Sequence, residues 1–149
     1  LPGARCARLL QEPRRYGTRP APAVVRRKTM ANPFCHVELA TDNPGASKEF
    51  YASLFDWKFE DSPSPVGVYT HIKVGEGTGG GLMKKLMPEA PNAWLAYVLV
   101  NSVDKTLAKA RDLGARVILD KVVVPDMGAF AVLTDPSGAA LGVWEVTSK

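Results

Sequence analysis

Cysteine is scarce in these 149 residues: only Cys6 and Cys35 are present. Two thiols build neither a disulfide framework nor a thiolate zinc site unaided, so nothing in the chain points to secretion. Long apolar runs are missing as well. The longest, such as Trp94 to Val100, are strand-sized and far below the roughly 18 residues a membrane span requires. Histidine is limited to His36 and His71, which leaves few imidazole ligands for any metal. What remains is ordinary globular composition, 46% hydrophobic and 23% charged, in a length that suits one domain. A soluble, cytoplasmic protein with no membrane partner is expected.

Acidic residues are nearly absent from one stretch. Residues 1–29 carry eight basic side chains against Glu12 alone, together with Pro2, Pro13, Pro20 and Pro22. The whole chain has a net charge of +4 from 19 Lys+Arg and 15 Asp+Glu, so residues 30–149 hold eleven basic and fourteen acidic side chains, a net −3. The basic character belongs to the leader, and no nucleic-acid partner is expected for the rest. Three readings compete for residues 1–29: an upstream stretch with Met30 as the natural initiator, an organelle-targeting peptide, or a basic arm for nucleic acid. The first is preferred, and the leader is left out of the fold.

From Met30 onward the pattern is regular. Phe34–Ala40 reads as a strand, closed by Thr41-Asp42-Asn43-Pro44-Gly45, where Asp42 or Asn43 can cap a helix and Pro44 suits its first turn. Phe50, Tyr51, Leu54 and Phe55 then make a helical stripe that ends at Asp56-Trp57. Strand-like pieces follow at Trp57–Glu60, Val66–Val74 and Gly80–Met83, separated by Ser62-Pro63-Ser64-Pro65 and by the glycine-rich segment from Gly75 to Gly79. The order then begins again. Trp94–Val100 is a strand, Asn101 or Ser102 a cap, and Val103, Leu107, Ala110 and Leu113 a stripe stopped by Gly114. Strands Arg116–Val124, Gly128–Thr134 and Ala139–Val146 complete it.

The body is therefore an internal repeat, βαβββ twice, over about residues 33–87 and 92–147 within one domain of residues 30–149. One helix covers only one face of a four-stranded sheet. Two units joined side by side give an α+β fold, a curved half-open barrel with helices outside and a concave groove inside, which is a small-molecule site by default.

This order, with Asp42-Asn43-Pro44 leading into Phe50-Tyr51 and Leu54-Phe55-Asp56-Trp57, resembles the vicinal oxygen chelate superfamily. So does the ending Asp135-Pro136-Ser137-Gly138 with a strand finishing in Trp144-Glu145. The superfamily includes glyoxalase, extradiol dioxygenases, fosfomycin-resistance enzymes and bleomycin-binding proteins, so the resemblance implies a fold and not one activity. It also implies a divalent metal, zinc, nickel, manganese or iron, held in the groove by His and Glu. His36, fourteen residues before Phe50, matches the first metal-binding His of glyoxalase-like members. The equivalent places in the second repeat fall on Leu95 and Gly142, which cannot ligate. His71 is the second candidate ligand. A zinc or iron site needs about three protein ligands, and two are on hand.

Tyr97, Trp144 and Phe130 are expected to project into the groove as ligand contacts, and Glu38 shares a strand face with His36. Cys35 points away from His36 on the same strand and reads as a small buried side chain. The G-x-G-x-x-G within Gly75–Gly81 opens no adequate helix, so a dinucleotide fingerprint is set aside for a turn between strands. The preferred reading is a homodimer whose groove binds or transforms a small organic molecule without the full family metal set. The alternatives are a glyoxalase-type metal-dependent lyase or dioxygenase with His36 as a ligand, and a non-catalytic drug-binding or interaction protein.

Overall fold

The computed structural model describes residues 31–147. The leader of residues 1–29, with its three competing readings, lies outside the described residues. Ten elements follow in chain order: β1 (Phe34–Thr41), α1 (Pro44–Leu54), β2 (Lys58–Ser64), β3 (Gly67–Lys73), β4 (Gly80–Lys84), β5 (Ala93–Leu99), α2 (Val103–Asp112), β6 (Arg116–Val124), β7 (Gly128–Thr134) and β8 (Ala140–Val146). Two βαβββ units are what the repeat predicts.

All eight strands form one curled sheet in the order β2-β3-β4-β1-β5-β8-β7-β6. In each unit the first strand lies parallel to the last, β1 to β4 and β5 to β8, and the units join where β1 meets β5 antiparallel. That seam pairs His36 with Tyr97 and Glu38 with Leu95. Paired residues share a face of the sheet, so the seam sets which side chains enter the concave groove.

The convex face is the core. Under α2, Val103 and Leu107 are buried against Val100, Ala131, Leu133 and Val143, and each buried aliphatic side chain contributes about 1.5–3 kcal/mol. Under α1 the buried set is Leu39, Ile72 and Leu82, with Tyr51, Trp57, Phe59 and Val74 packed around it. The expected stripe of α1 is only partly used: Tyr51 turns inward, whereas Phe50 and Leu54 stay 60% and 56% exposed. Leu113, counted in the stripe of α2, is its C-cap and is exposed.

Each helix starts as its sequence dictates. Asn43 caps α1 through Oδ1, which accepts from the Ala46 N–H at 3.1 Å, and Ser102 Oγ accepts from the Lys105 N–H of α2 at 3.3 Å. The second helix has an additional acceptor, Glu145 Oε2, 2.7 Å from the Val103 N–H. Lys121 ties the same carboxylate to Asp104 of α2. One boundary departs from expectation. Ser62-Pro63-Ser64, read as a separator, belongs to β2, because β2 is an edge strand and Pro63 needs no outward N–H partner there. Among the described residues no helix is long and apolar enough to cross a membrane.

Candidate ligand-binding groove

Alternation along β1 turns His36 and Glu38 to the concave face and Leu39 to the core. Register carries the face outward in both directions. Glu38 pairs with Gly81, Gly81 with His71, and Tyr69 with Met83, so β3 presents Tyr69 and His71. On the other side His36 pairs with Tyr97, Tyr97 with Gly142, and Trp144 with Phe130. All six residues singled out by sequence, His36, Glu38, His71, Tyr97, Phe130 and Trp144, thus stand on one face.

They divide into two groups. The first is polar. The Tyr97 hydroxyl donates to Glu38 Oε1 at 3.2 Å, and the Tyr69 hydroxyl lies 2.8 Å from His36 Nε2 while also facing the Glu38 carboxylate. His71 Nε2 meets Ser62 Oγ at 3.0 Å, and its ring stands edge-on to Tyr69 with centroids 5.0 Å apart. The second group is aromatic. Tyr97 meets Phe130 edge to face at 6.2 Å, and Phe130 stacks on Trp144 at 6.3 Å. Tyr97 belongs to both groups, with its hydroxyl at Glu38 and its ring at Phe130.

Burial governs the electrostatics of the polar group. It raises the pKa of Glu38, an effect partly offset by hydrogen bonds from Tyr69 and Tyr97. Burial first, then the repulsion of His71, lowers that of His36 and favours its neutral imidazole. Both phenols are pushed well up, by burial and then by the neighbouring carboxylate, so they remain hydrogen-bond donors. Among the described residues no Lys or Arg forms an ion pair with Glu38.

Sequence reasoning overlooked Tyr69 and Ser62. Tyr69 was within reach, since it stands two residues before His71 on one strand and must share its face. Its position over Gly81 was not, because that depends on pairing. A Cβ on Gly81 would overlap the Tyr69 phenol, and a Cβ on Gly142 would overlap the Tyr97 ring. The two glycines therefore serve as floors for two tyrosines, one in each unit. Cys35 is half-buried, with Sγ 3.6 Å from the Tyr97 carbonyl and a thiol pKa raised by burial. Gly75–Gly79 links β3 to β4 and opens no helix.

A divalent centre of the superfamily type would need more donors than these. Among the described residues no group of three His, Cys, Asp or Glu side chains is close enough to hold a metal. His36 Nε2 and His71 Nε2 already face the hydroxyls of Tyr69 and Ser62. Gly142, one of the places where a carboxylate is expected, lies beneath the Tyr97 ring. Glu145, three residues further along β8, instead accepts from the N-terminus of α2. The donor set does not fit that centre.

Residues 36–143 match the family described as the glyoxalase-like domain. CFP32 of Mycobacterium tuberculosis (strain CDC 1551 / Oshkosh), a protein named as a glyoxylase, is 37% identical over 107 residues, covering 71% of this chain and 41% of that protein. The anthracycline biosynthesis protein DauV of Streptomyces sp. (strain C5) is 28% identical over 129 residues, covering 72% of this chain and 44% of DauV. The chain thus spans less than half the length of the curated relatives it matches. Among solved structures, methylmalonyl-CoA epimerase of Streptomyces coelicolor superposes with a TM-score of 0.60 at 16% identity, over 80% of this chain and all of that one. At that identity the likeness speaks for the fold alone.

Proposed function

We propose, from the premise that this chain belongs to the glyoxalase-like domain family of the vicinal oxygen chelate superfamily, that it binds a small, flat organic molecule in the concave groove. The polar end of the ligand lies at Glu38, Tyr69 and Tyr97, and its flat part lies against Phe130 and Trp144. The observation that carries this reading is the adjacency of the two groups through Tyr97, whose hydroxyl meets Glu38 while its ring meets Phe130. Aromatic walls supply area and stacking to flat ligands, and a few fixed polar groups orient them. No metal step is part of the reading, because the donors present do not fit the centre.

A chemical role is open to the same cluster. Glu38 can take a proton from a bound molecule, and the Tyr69 hydroxyl, between Glu38 and His36, can pass it toward the imidazole. The glyoxalase-type metal-dependent lyase or dioxygenase remains the competing reading, and it requires donors from beyond the described residues or from the partner of a homodimer.

The test is binding and metal content together. The full chain is equilibrated with zinc, nickel, manganese and ferrous iron, freed of excess, and assayed by elemental analysis, then titrated with naphthylmethanol by calorimetry. Binding of the probe without stoichiometric metal, lost in Phe130→Ala and Trp144→Ala, is the expected result. Stoichiometric metal that disappears in His36→Ala overturns the metal-free reading, and probe binding indifferent to Phe130 and Trp144 overturns the groove.

A further inference from the structure

Glu38 is a carboxylate drawn partly out of water in the middle of the sheet, and what surrounds it lacks a countercharge. From β5 it faces the Tyr97 hydroxyl and Leu95, from β3 the Tyr69 hydroxyl, from β4 Gly81, and along β1 His36. None is a fixed cation. Of the basic residues whose register places them on this face, Lys73 is held by Glu60 at 3.0 Å, Lys58 lies beside it on the β2 edge, and Arg116 lies on the opposite edge strand, β6. Removing a carboxylate from water costs least when a positive partner arrives with it. Through Tyr97 it is linked to the aromatic pair Phe130 and Trp144, and the faces of aromatic rings attract cations through their quadrupole.

We infer that the ligand of this groove is an organic cation, an amine or amidine on a flat apolar body, with its N–H groups on Glu38 and its body on Phe130 and Trp144. The inference rests on the groove-binding reading above and sharpens it to a ligand class. Glu38 is then the specificity-determining residue: it selects for positive charge, while the aromatic wall selects for shape. Phosphorylated or carboxylated molecules meet a like charge at the same point and are disfavoured.

Three probes of one shape decide it. Naphthylmethylamine, naphthylmethanol and naphthoate are cationic, neutral and anionic near neutral pH, and each is titrated into the full chain by calorimetry. The amine is expected to bind about tenfold or more tighter than the alcohol, as a charge-assisted hydrogen bond gives, and naphthoate weakest. In Glu38→Gln, which keeps an acceptor for the tyrosines, amine and alcohol are expected to bind alike. Equal or tighter binding of the alcohol or of naphthoate by the unaltered chain overturns the cation inference, as does an amine preference that survives in a folded Glu38→Gln. If the three bind alike but lose affinity in Trp144→Ala, the groove reading stands and only the charge inference falls. If none binds, both fall.

Discussion

The two halves of this molecule share a topology and use it for opposite chemistry. In the first, an aromatic cluster stands outside: Tyr51, Phe55 and Trp57, joined by Trp94 from β5 of the second, meet around α1 with ring centroids 4.7–6.3 Å apart. Its concave face is polar, built of His36, Glu38, Ser62, Tyr69 and His71. In the second, the helix covers an aliphatic core, and the aromatic residues Tyr97, Phe130 and Trp144 are inside. A repeated backbone thus guarantees only a groove. The residues placed on its floor give that groove one polar half and one aromatic half, and a ligand with two such ends can span the seam.

The largest break expected between the halves is in the helices. Leu107→Ala empties a buried site under α2 and should cost about 2–5 kcal/mol in chemical unfolding, whereas Leu54→Ala on α1, already exposed, should stay within about 0.5 kcal/mol. Equal losses would mean that α1 is as deeply packed as α2.

Next come the tyrosine floors. Gly81→Ala and Gly142→Ala each drive a methyl into a phenol ring and should cost about 1–3 kcal/mol by overpacking. Adding Tyr69→Ala to the first, or Tyr97→Ala to the second, removes the overlap. Each double variant should therefore lose less than the sum of its single changes, and strict additivity would show that the rings do not rest on the glycines.

A smaller effect lies in acid–base behaviour. The raised pKa of Glu38 means that the folded chain holds its proton more tightly than the unfolded one. Its contribution is fully present below the usual glutamate pKa and is lost as pH rises through the raised value. Glu38→Gln should therefore gain stability relative to the parent at neutral pH, with the gain vanishing toward acid, as thermal melts across pH would record. A gain that grows toward acid would contradict the assignment. Smallest is the pair of caps: Asn43→Ala should cost about 1 kcal/mol, and Ser102→Ala less, since Glu145 also binds the start of α2.

Much of the architecture could be read before the structure was known, because turn and cap residues mark it. Asn43-Pro44, Ser102 and Asp135-Pro136-Ser137-Gly138 lie at the element boundaries they predict. Alternation alone put His36 and Glu38, and likewise Tyr97 and Trp144, on common faces. What stayed hidden depended on pairing between distant strands. Pro63 looks like a strand breaker until β2 proves to be an edge, and nothing in the strand Gly80–Met83 tells that Gly81 must stay bare until Tyr69 is found above it. The exposure of Phe50 and Leu54 also follows from how α1 lies on the sheet, which periodicity does not encode.

The aromatic residues on the concave side of the second half, and not those on the convex side around α1, are expected to receive the ligand. Indole N–H resonances of Trp57, Trp94 and Trp144, assigned by single substitution in a nitrogen-labelled sample, report on both clusters at once during titration with naphthylmethylamine. The Trp144 resonance is expected to shift with saturation while those of Trp57 and Trp94 stay in place. Saturable shifts at Trp57 and Trp94 with Trp144 unmoved would place the binding surface on the convex side and contradict it.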